Sequence, residues 1–342
     1  MSSAKLVPSK KPATNDEPYR LVAENIYQVR LPLPFRLNHV NCYLLCGSDG
    51  VTVVDTGLHW AEGMDAWQRA FESLPFSLKE VTQIVVTHTH PDHFGMAGWF
   101  EEQTGCPIRM TPTEREQAEN VWVNHAWAPE KVAAWWDACG VPRKVSEQAM
   151  PQTNLMRQKT LPHPKHYDLF EYGETIRMGD RNFLAIHAPG HSDGQVVLYD
   201  AENKLALSAD QVLMRITPNI GIWPTSAPKP LKRYLQSLQD LAQIEVDLAL
   251  PGHRELIENW TDRLAVISEH HAERLATMLQ MIERNKAQGA TAFDVGTSIF
   301  DFDRLSPHEV RFAVAETLAH VEYLVDRGDV VRSDEVWRYM VA

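Results

Sequence analysis

Cysteine is scarce in this 342-residue chain: Cys42, Cys46, Cys106 and Cys139 are the four it has. Cys42 and Cys46 fall in one predicted strand, where four residues span roughly 13 Å, too far apart for a disulfide. All four therefore read as ordinary thiols of a reducing compartment. Long apolar runs are missing too; nothing approaches the ~20 residues that cross a bilayer. The opening stretch, Met1 to Pro18, carries Lys5, Lys10 and Lys11 but no apolar segment of the signal-peptide kind. A disordered leader over residues 1–18 is expected rather than a secretory signal. Basic residues are outnumbered, 33 Lys and Arg against 45 Asp and Glu, for a formal net charge of −12. That balance argues against a surface built to hold nucleic acid phosphates, although a local basic groove is compatible with it. No internal repeat is visible. These absences together predict a soluble, cytoplasmic protein with no membrane partner and no nucleic acid ligand.

Hydrophobic content of 44% and charged content of 23% are those of a packed globular protein. The length allows one large domain, or one domain with an appendage. The chain is organised around Thr87-His88-Thr89-His90-Pro91-Asp92-His93-Phe94-Gly95, where three histidines and an aspartate fall in six positions. The β-branched run Ile84-Val85-Val86 before it reads as a buried strand that delivers its C-terminal end to a site. Imidazole nitrogens and carboxylate oxygens are ligands that a borderline cation such as zinc prefers. Four of them this close cannot all serve one tetrahedral ion. Alternate residues of an extended segment point the same way, so His88 and His90 can share one metal, while Asp92 and His93, past a turn, can reach a second.

Strands are predicted at 26–30, 41–45 and 51–54, with Gly47-Ser48-Asp49-Gly50 as a hairpin loop between the last two. Val54-Asp55-Thr56-Gly57 ends the third strand in a carboxylate, which is expected to brace a neighbouring loop rather than to bind metal. Helical spacing covers Gly63 to Leu74, and again Gly95 to Gln103, closed by Gly105. Residues 105–170 read as a helical insertion, with Trp122, Trp127, Trp135 and Trp136 inside fifteen positions. These tryptophans either fill a local core or wall a substrate site as a lid. Strands return at 175–176, 183–186, 195–199, 204–208 and 246–250. The strand at 183–186 leads to Ala188-Pro189-Gly190-His191, the one at 204–208 to Asp210 and the one at 246–250 to Pro251-Gly252-His253. Four strand ends that each present a His or Asp are explained by one site built from strand ends. A helix is expected over 231–241, and a longer one over 261–286 that carries His270 and His271. That pair is placed on the helix surface or between modules, not on a metal. Shorter helices and a hairpin (329–331 with 336–339) complete a module over 261–342. This module holds 14 Asp and Glu against 9 Lys and Arg, a poor match to a phosphate backbone.

The series Asp55, His88-x-His90-x-Asp92-His93, His191, Asp210 and His253 resembles the five-motif signature of the metallo-β-lactamase superfamily over residues 20–260. The resemblance implies an α/β fold, a four-layer αββα sandwich over 19–260. The helical insertion and a C-terminal, mostly helical, winged-helix-like domain over 261–342 would be added to it. It implies that His88, His90 and His191 hold a first metal, that Asp92, His93 and His253 hold a second, and that Asp210 bridges them. Two zinc ions are expected, with iron or manganese as alternatives. A bridging hydroxide made available near neutral pH would then be the nucleophile, oriented by Asp92 and Asp210, with Asp92 able to pass a proton to the leaving group.

Within the superfamily, Asp210 stands where a zinc β-lactamase often has Cys, and Leu213 stands where quorum-signal lactonases carry Tyr. His90 stands where flavodiiron proteins have Glu, and Pro251-Gly252-His253-Arg254-Glu255 departs from the glyoxalase II pattern. The last motif, the paired histidines and the winged-helix-like tail are similar to the β-lactamase-like group, which includes thioesterases and an endoribonuclease. Hydrolysis of a small ester or thioester, of acyl-CoA or acyl-carrier type, is therefore expected. Phosphodiester cleavage, lactone or lactam hydrolysis, and a metal-holding sensor are the alternatives. A homodimer is compatible with the appended module.

Overall fold

The computed structural model describes residues 18–124, 129–149, 151–285, 287–333 and 337–342. The expected leader, apart from Pro18, lies outside the described residues, and so does Trp127.

Three sheets organise the chain. The first has seven strands in sequence order: β1 (Tyr19–Ala23), β2 (Ile26–Pro32), β3 (His39–Gly47), β4 (Gly50–Val54), β5 (Val81–Val85), β6 (Ile108–Met110) and β7 (Tyr167–Leu169). Pairing is antiparallel from β1 to β4 and parallel from β4 to β7. The second sheet comprises β8 (Thr175–Met178), β9 (Arg181–His187), β10 (Val196–Asp200), β11 (Leu205–Ala209) and β12 (Leu248–Pro251), in the order β12-β11-β10-β9-β8. Only its β11–β12 pair is parallel. The third, β13 (Ala290–Thr291), β14 (Val330–Arg332) and β15 (Arg338–Val341), is a small antiparallel sheet in the order β13-β15-β14.

The helices are α1 (Ala61–Ser73), α2 (Pro91–Phe94), α3 (Ala97–Thr104), α4 (Pro112–Ala118), α5 (Pro129–Ala138), α6 (Arg143–Ala149), α7 (Pro151–Gln158), α8 (Pro230–Leu241), α9 (Trp260–Arg284), α10 (Ala292–Gly296) and α11 (Pro307–Arg327).

Strand periodicity sorts side chains into layers. Every residue of β10 and β11 is buried, because both faces of these central strands are covered. Val196 and Leu198 point inward, to meet Tyr43, Leu45, Val54, Val85 and Phe183 between the two large sheets. Val197 points outward, into a second core shared with Tyr234 and Leu238 of α8, Leu264 and Ile267 of α9, and Val314 and Leu318 of α11. On the far side, Trp67 and Ala70 of α1 and Phe100 of α3 cover Val51, Val53 and Ile84. The result is the αββα sandwich that the resemblance implied.

The helices after Gly289 are shorter than α9, and α11 is the longer of them at 21 residues. Ser306 and Glu309 cap it reciprocally, Pro307 takes its first turn, and Gly328 closes it at φ 82°. Its middle turns are buried almost all round, which is the behaviour of an interior helix. His271, for which a helix surface and a place between modules are the two expectations, is fully buried and so not on a surface. It lies 3.0 Å from His320 of α11 and its ring stands 5.4 Å from that of Tyr234 of α8.

Candidate metal centre and the cavity above it

Five strand ends converge on one edge of the paired sheets. β4 delivers Asp55, β5 leads to His88, β9 to His191, β11 to Asp210 and β12 to His253. The two sheets are tied together there, because Asn41 N–H donates to Gly252 O at 2.7 Å and Tyr43 OH donates to Pro251 O at 2.7 Å. His90 N-caps the short α2, with Pro91 as its first residue, so Asp92 and His93 turn back toward the strand ends.

All seven candidate ligands come together. His90 Nδ1 lies 3.1 Å from His88 Nε2 and 2.8 Å from His191 Nε2. His253 Nε2 lies 3.4 Å from Asp92 Oδ2. Asp210 stands between these groups, with Oδ1 3.4 Å from His93 Nε2 and Oδ2 3.4 Å from His191 Nε2 and 3.3 Å from His253 Nε2. Three sets (His88, His90, His191; His88, His93, Asp210; Asp92, His93, His253) each have their ligand atoms within 4.8 Å of one another.

Outer hydrogen bonds decide which nitrogen of each ring faces inward. His191 Nδ1–H donates to Asn219 O at 2.9 Å, His253 Nδ1–H to His39 O at 2.8 Å and His93 Nδ1–H to Asp55 Oδ2 at 2.8 Å. His88 Nδ1 lies 3.1 Å from Thr87 Oγ1, whose own proton goes to Asp55. In each case Nε2 is left with its lone pair aimed at the centre. Asp55 also accepts from Thr87 N–H at 2.8 Å, so it acts as the brace expected of it.

Electrostatics divide the cluster. Burial drives His88 and His191 down and His90 to about 3, so these rings are neutral donors. Burial also pushes His93 and His253 down, but the carboxylates of Asp210 with Asp55 or Asp92 outweigh it; His93 rises well above the ordinary imidazole value and His253 to about 9. Burial acts to raise Asp92 and Asp210, yet the same histidines hold both below the carboxylate range. This side of the cluster calls for positive charge. His93 Nε2, His253 Nε2 and Asp210 Oδ1 are buried without a hydrogen-bond partner, which is costly for polar atoms unless something else completes them. Nitrogen and carboxylate donors of this kind fit a divalent cation.

The surrounding backbone is made to measure. Asp55 (φ 61°), Ala209 (φ 45°) and Arg254 (φ 67°) are non-glycine residues in the left-handed region beside the cluster, where strain marks functional sites. At Gly252 a Cβ would stand 2.3 Å from Asp210 Oδ1 and 2.7 Å from His93 Cε1.

Glu114 was not singled out from the sequence. Fully buried on α4, it accepts from Thr89 N–H at 2.7 Å, Ser192 Oγ at 2.5 Å and Gly194 N–H at 2.7 Å. It thereby clamps the His90 loop to the His191 loop. Burial pushes it up to about 7 against those bonds. Its place three residues after Thr111 reads as a helix-start residue, which concealed this second role.

A cavity of about 370 Å³ opens onto His90, Asp92, His191 and Asp210. Its apolar wall comes from Phe35 and Leu37, from Leu213 and Ile216, from Phe300 and Leu305 ahead of α11, and from Phe312 on α11. The insertion contributes Met156. Trp136 is instead buried in the core against the C-terminal helices, with Trp135 packed beside it, while Trp122 Nε1–H donates to Thr89 O at 2.9 Å. His270 and His271 stand outside the ligand groups.

Residues 36–253 match the family model of the metallo-beta-lactamase superfamily, and residues 275–342 match that of the metallo-beta-lactamase-like C-terminal domain. A metallo-beta-lactamase family protein from Thermus thermophilus has a similar structure, with a TM-score of 0.84 at 28% identity over 94% of this chain and 100% of that one. A beta-lactamase domain protein from Burkholderia ambifaria also gives a TM-score of 0.84, at 27% identity over 97% of each chain. "Probable metallo-hydrolase YqjP" of Bacillus subtilis is 23% identical over 89% of this chain and 93% of its own length. The human acyl-coenzyme A thioesterase MBLAC2 is 26% identical over 51% of this chain and 59% of its own length.

Proposed function

The chain belongs to the metallo-beta-lactamase superfamily of hydrolases, and from that footing we propose that it is a two-metal hydrolase of an ester or thioester with an apolar acyl group. The observation that carries this reading is the cavity of about 370 Å³, walled by aromatic and aliphatic side chains, whose polar end is the His/Asp cluster. Pockets of that size and lining suit a small, largely apolar ligand held by a few polar groups. The likeness to an acyl-coenzyme A thioesterase supports it.

In this reading His88, His90 and His191 hold one ion, Asp92, His93 and His253 a second, and Asp210 lies between them. Zinc is the natural occupant for such nitrogen and oxygen donors, with iron or manganese as alternatives. Bound metal would supply an activated water and a Lewis acid for the carbonyl. The rest falls to the chain. Asp55 and Thr87 fix the rings, and Asp92 and Asp210 are the catalytic carboxylates, which orient the attacking water. Asp92, which the cavity reaches, takes the proton that the attacking water gives up and passes it to the leaving group. Phe35, Leu213, Ile216 and Phe312 exclude water and align the acyl chain so that its carbonyl meets the cluster. No nucleophilic Ser or Cys is required.

The test is a panel of acyl thioesters and single-stranded RNA, assayed on one preparation of measured metal content. Thioester cleavage that stops on chelation and returns with added zinc is the expected result. RNA cleavage with inert thioesters would overturn the reading.

A further inference from the structure

We propose that the C-terminal helices position the first metal site, through a relay from Glu316 of α11 to Asn219 and from Asn219 to the ligand His191. The inference rests on the ligand assignment proposed above. His191 depends for its orientation on one outer bond, from Nδ1–H to Asn219 O at 2.9 Å. That carbonyl belongs to the stretch between Asp210 and α8, which has no helix or strand of its own. An irregular loop does not by itself fix a carbonyl, so the fixing has to come from a neighbour.

The neighbour is α11. Asn219 Nδ2–H donates to Glu316 Oε2 at 2.8 Å and to Phe312 O at 3.2 Å. Ile222 N–H donates to Ala315 O at 3.1 Å. A Cβ on Gly221 would come within 2.9 Å of Ala315 Cβ, so the loop lies directly on the helix. Glu316 is buried, and its other oxygen pairs with Arg274 of α9, which holds the carboxylate to a single orientation. α9 grips the same loop upstream, where Arg263 donates to Leu213 O at 2.6 Å and to Ile216 O at 2.5 Å. His93 and His253 have outer partners on other elements, Asp55 and His39 O. The relay therefore acts on one metal position and not on both.

The full-length, metal-free protein would be titrated with Co²⁺ against a competing chelator. The wild type is expected to show two binding events, with the event that His191→Ala removes belonging to the first site. Asn219→Ala keeps the backbone carbonyl but frees it, so that event should weaken by about tenfold and its d–d absorption should shift. The other event should stay within twofold. Glu316→Ala should reproduce the effect. Glu316→Gln should recover part of the affinity, because its amide oxygen can still accept from Asn219 while its NH2 no longer pairs with Arg274. Two events that weaken together, or neither weakening, would overturn the relay. If Asn219→Ala does not fold, equal affinities in Glu316→Ala and Glu316→Gln would overturn it. No substrate enters the measurement, so a chain inert to thioesters leaves the relay standing, whereas a wild type that binds no Co²⁺ overturns the ligand assignment as well.

Discussion

Four of the five histidines around the centre, His88, His93, His191 and His253, have a ring fixed by an outer partner. Asp55 satisfies Thr87 and His93 at once, with its two oxygens committed to different partners. Asp210 has no such support; its Oδ1 is buried without a hydrogen-bond partner, the condition of a carboxylate that waits for cations. Asp210→Ala should therefore lower bound metal below two ions per chain and cut kcat/KM by about a thousandfold or more. His88→Ala should empty the first position and abolish turnover. Elemental analysis alongside the thioester assay checks both, and near-normal turnover with full loading in Asp210→Ala would sink the bridging role. Gly252→Ala makes a sharper case, since it alters no ligand. Its Cβ, 2.3 Å from Asp210 Oδ1, must displace that carboxylate, so metal content is expected to fall almost as far as in Asp210→Ala.

Among elements, strand ends were legible and helix walls were not. The sequence announces a strand end plainly: an apolar run stops at polar or turn residues, as Val86 gives way to Thr87-His88 and Leu250 to Pro251-Gly252-His253. Four such ends point to one site, and the resemblance to the superfamily assigns the ligands among them. The cavity wall carries no comparable signal, because Phe300, Leu305 and Phe312 look like core residues of a separate module until the fold turns them toward the metals. Start and stop signals for α11 are present, in Ser306-Pro307-x-Glu309 and Gly328. The tryptophans leave core and lid both open in the sequence, because helical spacing cannot distinguish a residue that faces a ligand from one that faces another helix; Trp135 and Trp136 take the core. Phe312 is where the wall can be tested. Shortening it to Ala enlarges the cavity, so the preferred acyl chain should lengthen, with the ratio of kcat/KM for long over short chains rising by about tenfold. An unchanged chain-length profile would place the acyl group elsewhere.

At the scale of the molecule, the C-terminal module shares a core with the sandwich. One core runs from Val197 and Ala206 of the second sheet through Tyr234 to Leu264, Val314 and Leu318, and takes in Trp136 from the insertion. At its centre lies a polar contact, His271 against His320, with His320 Nδ1–H donating to Glu316 O at 2.7 Å. Burial drives both rings down, His320 to about 3, and the facing His320, His270 and Arg274 add to the fall at His271. An unfolded histidine takes its proton near pH 6.5, whereas these stay neutral in the fold until far lower pH. Between those limits the unfolded chain binds more protons, so stability rises with pH there. The contribution is complete above about pH 6.5 and is lost as pH falls toward 3, by at most about 1.4 kcal/mol per pH unit for each ring. Replacing both rings by apolar groups, in His271→Phe with His320→Leu, removes these protons from the balance while keeping the core filled. Urea unfolding of the metal-free protein at pH 7 and pH 5 should show a smaller loss of stability for the double variant than for the wild type. The ligand histidines titrate in both proteins and cancel in the comparison. Equal losses would mean that the pair binds the same protons in the fold as in the unfolded chain, and that the acid sensitivity of the fold lies in other groups.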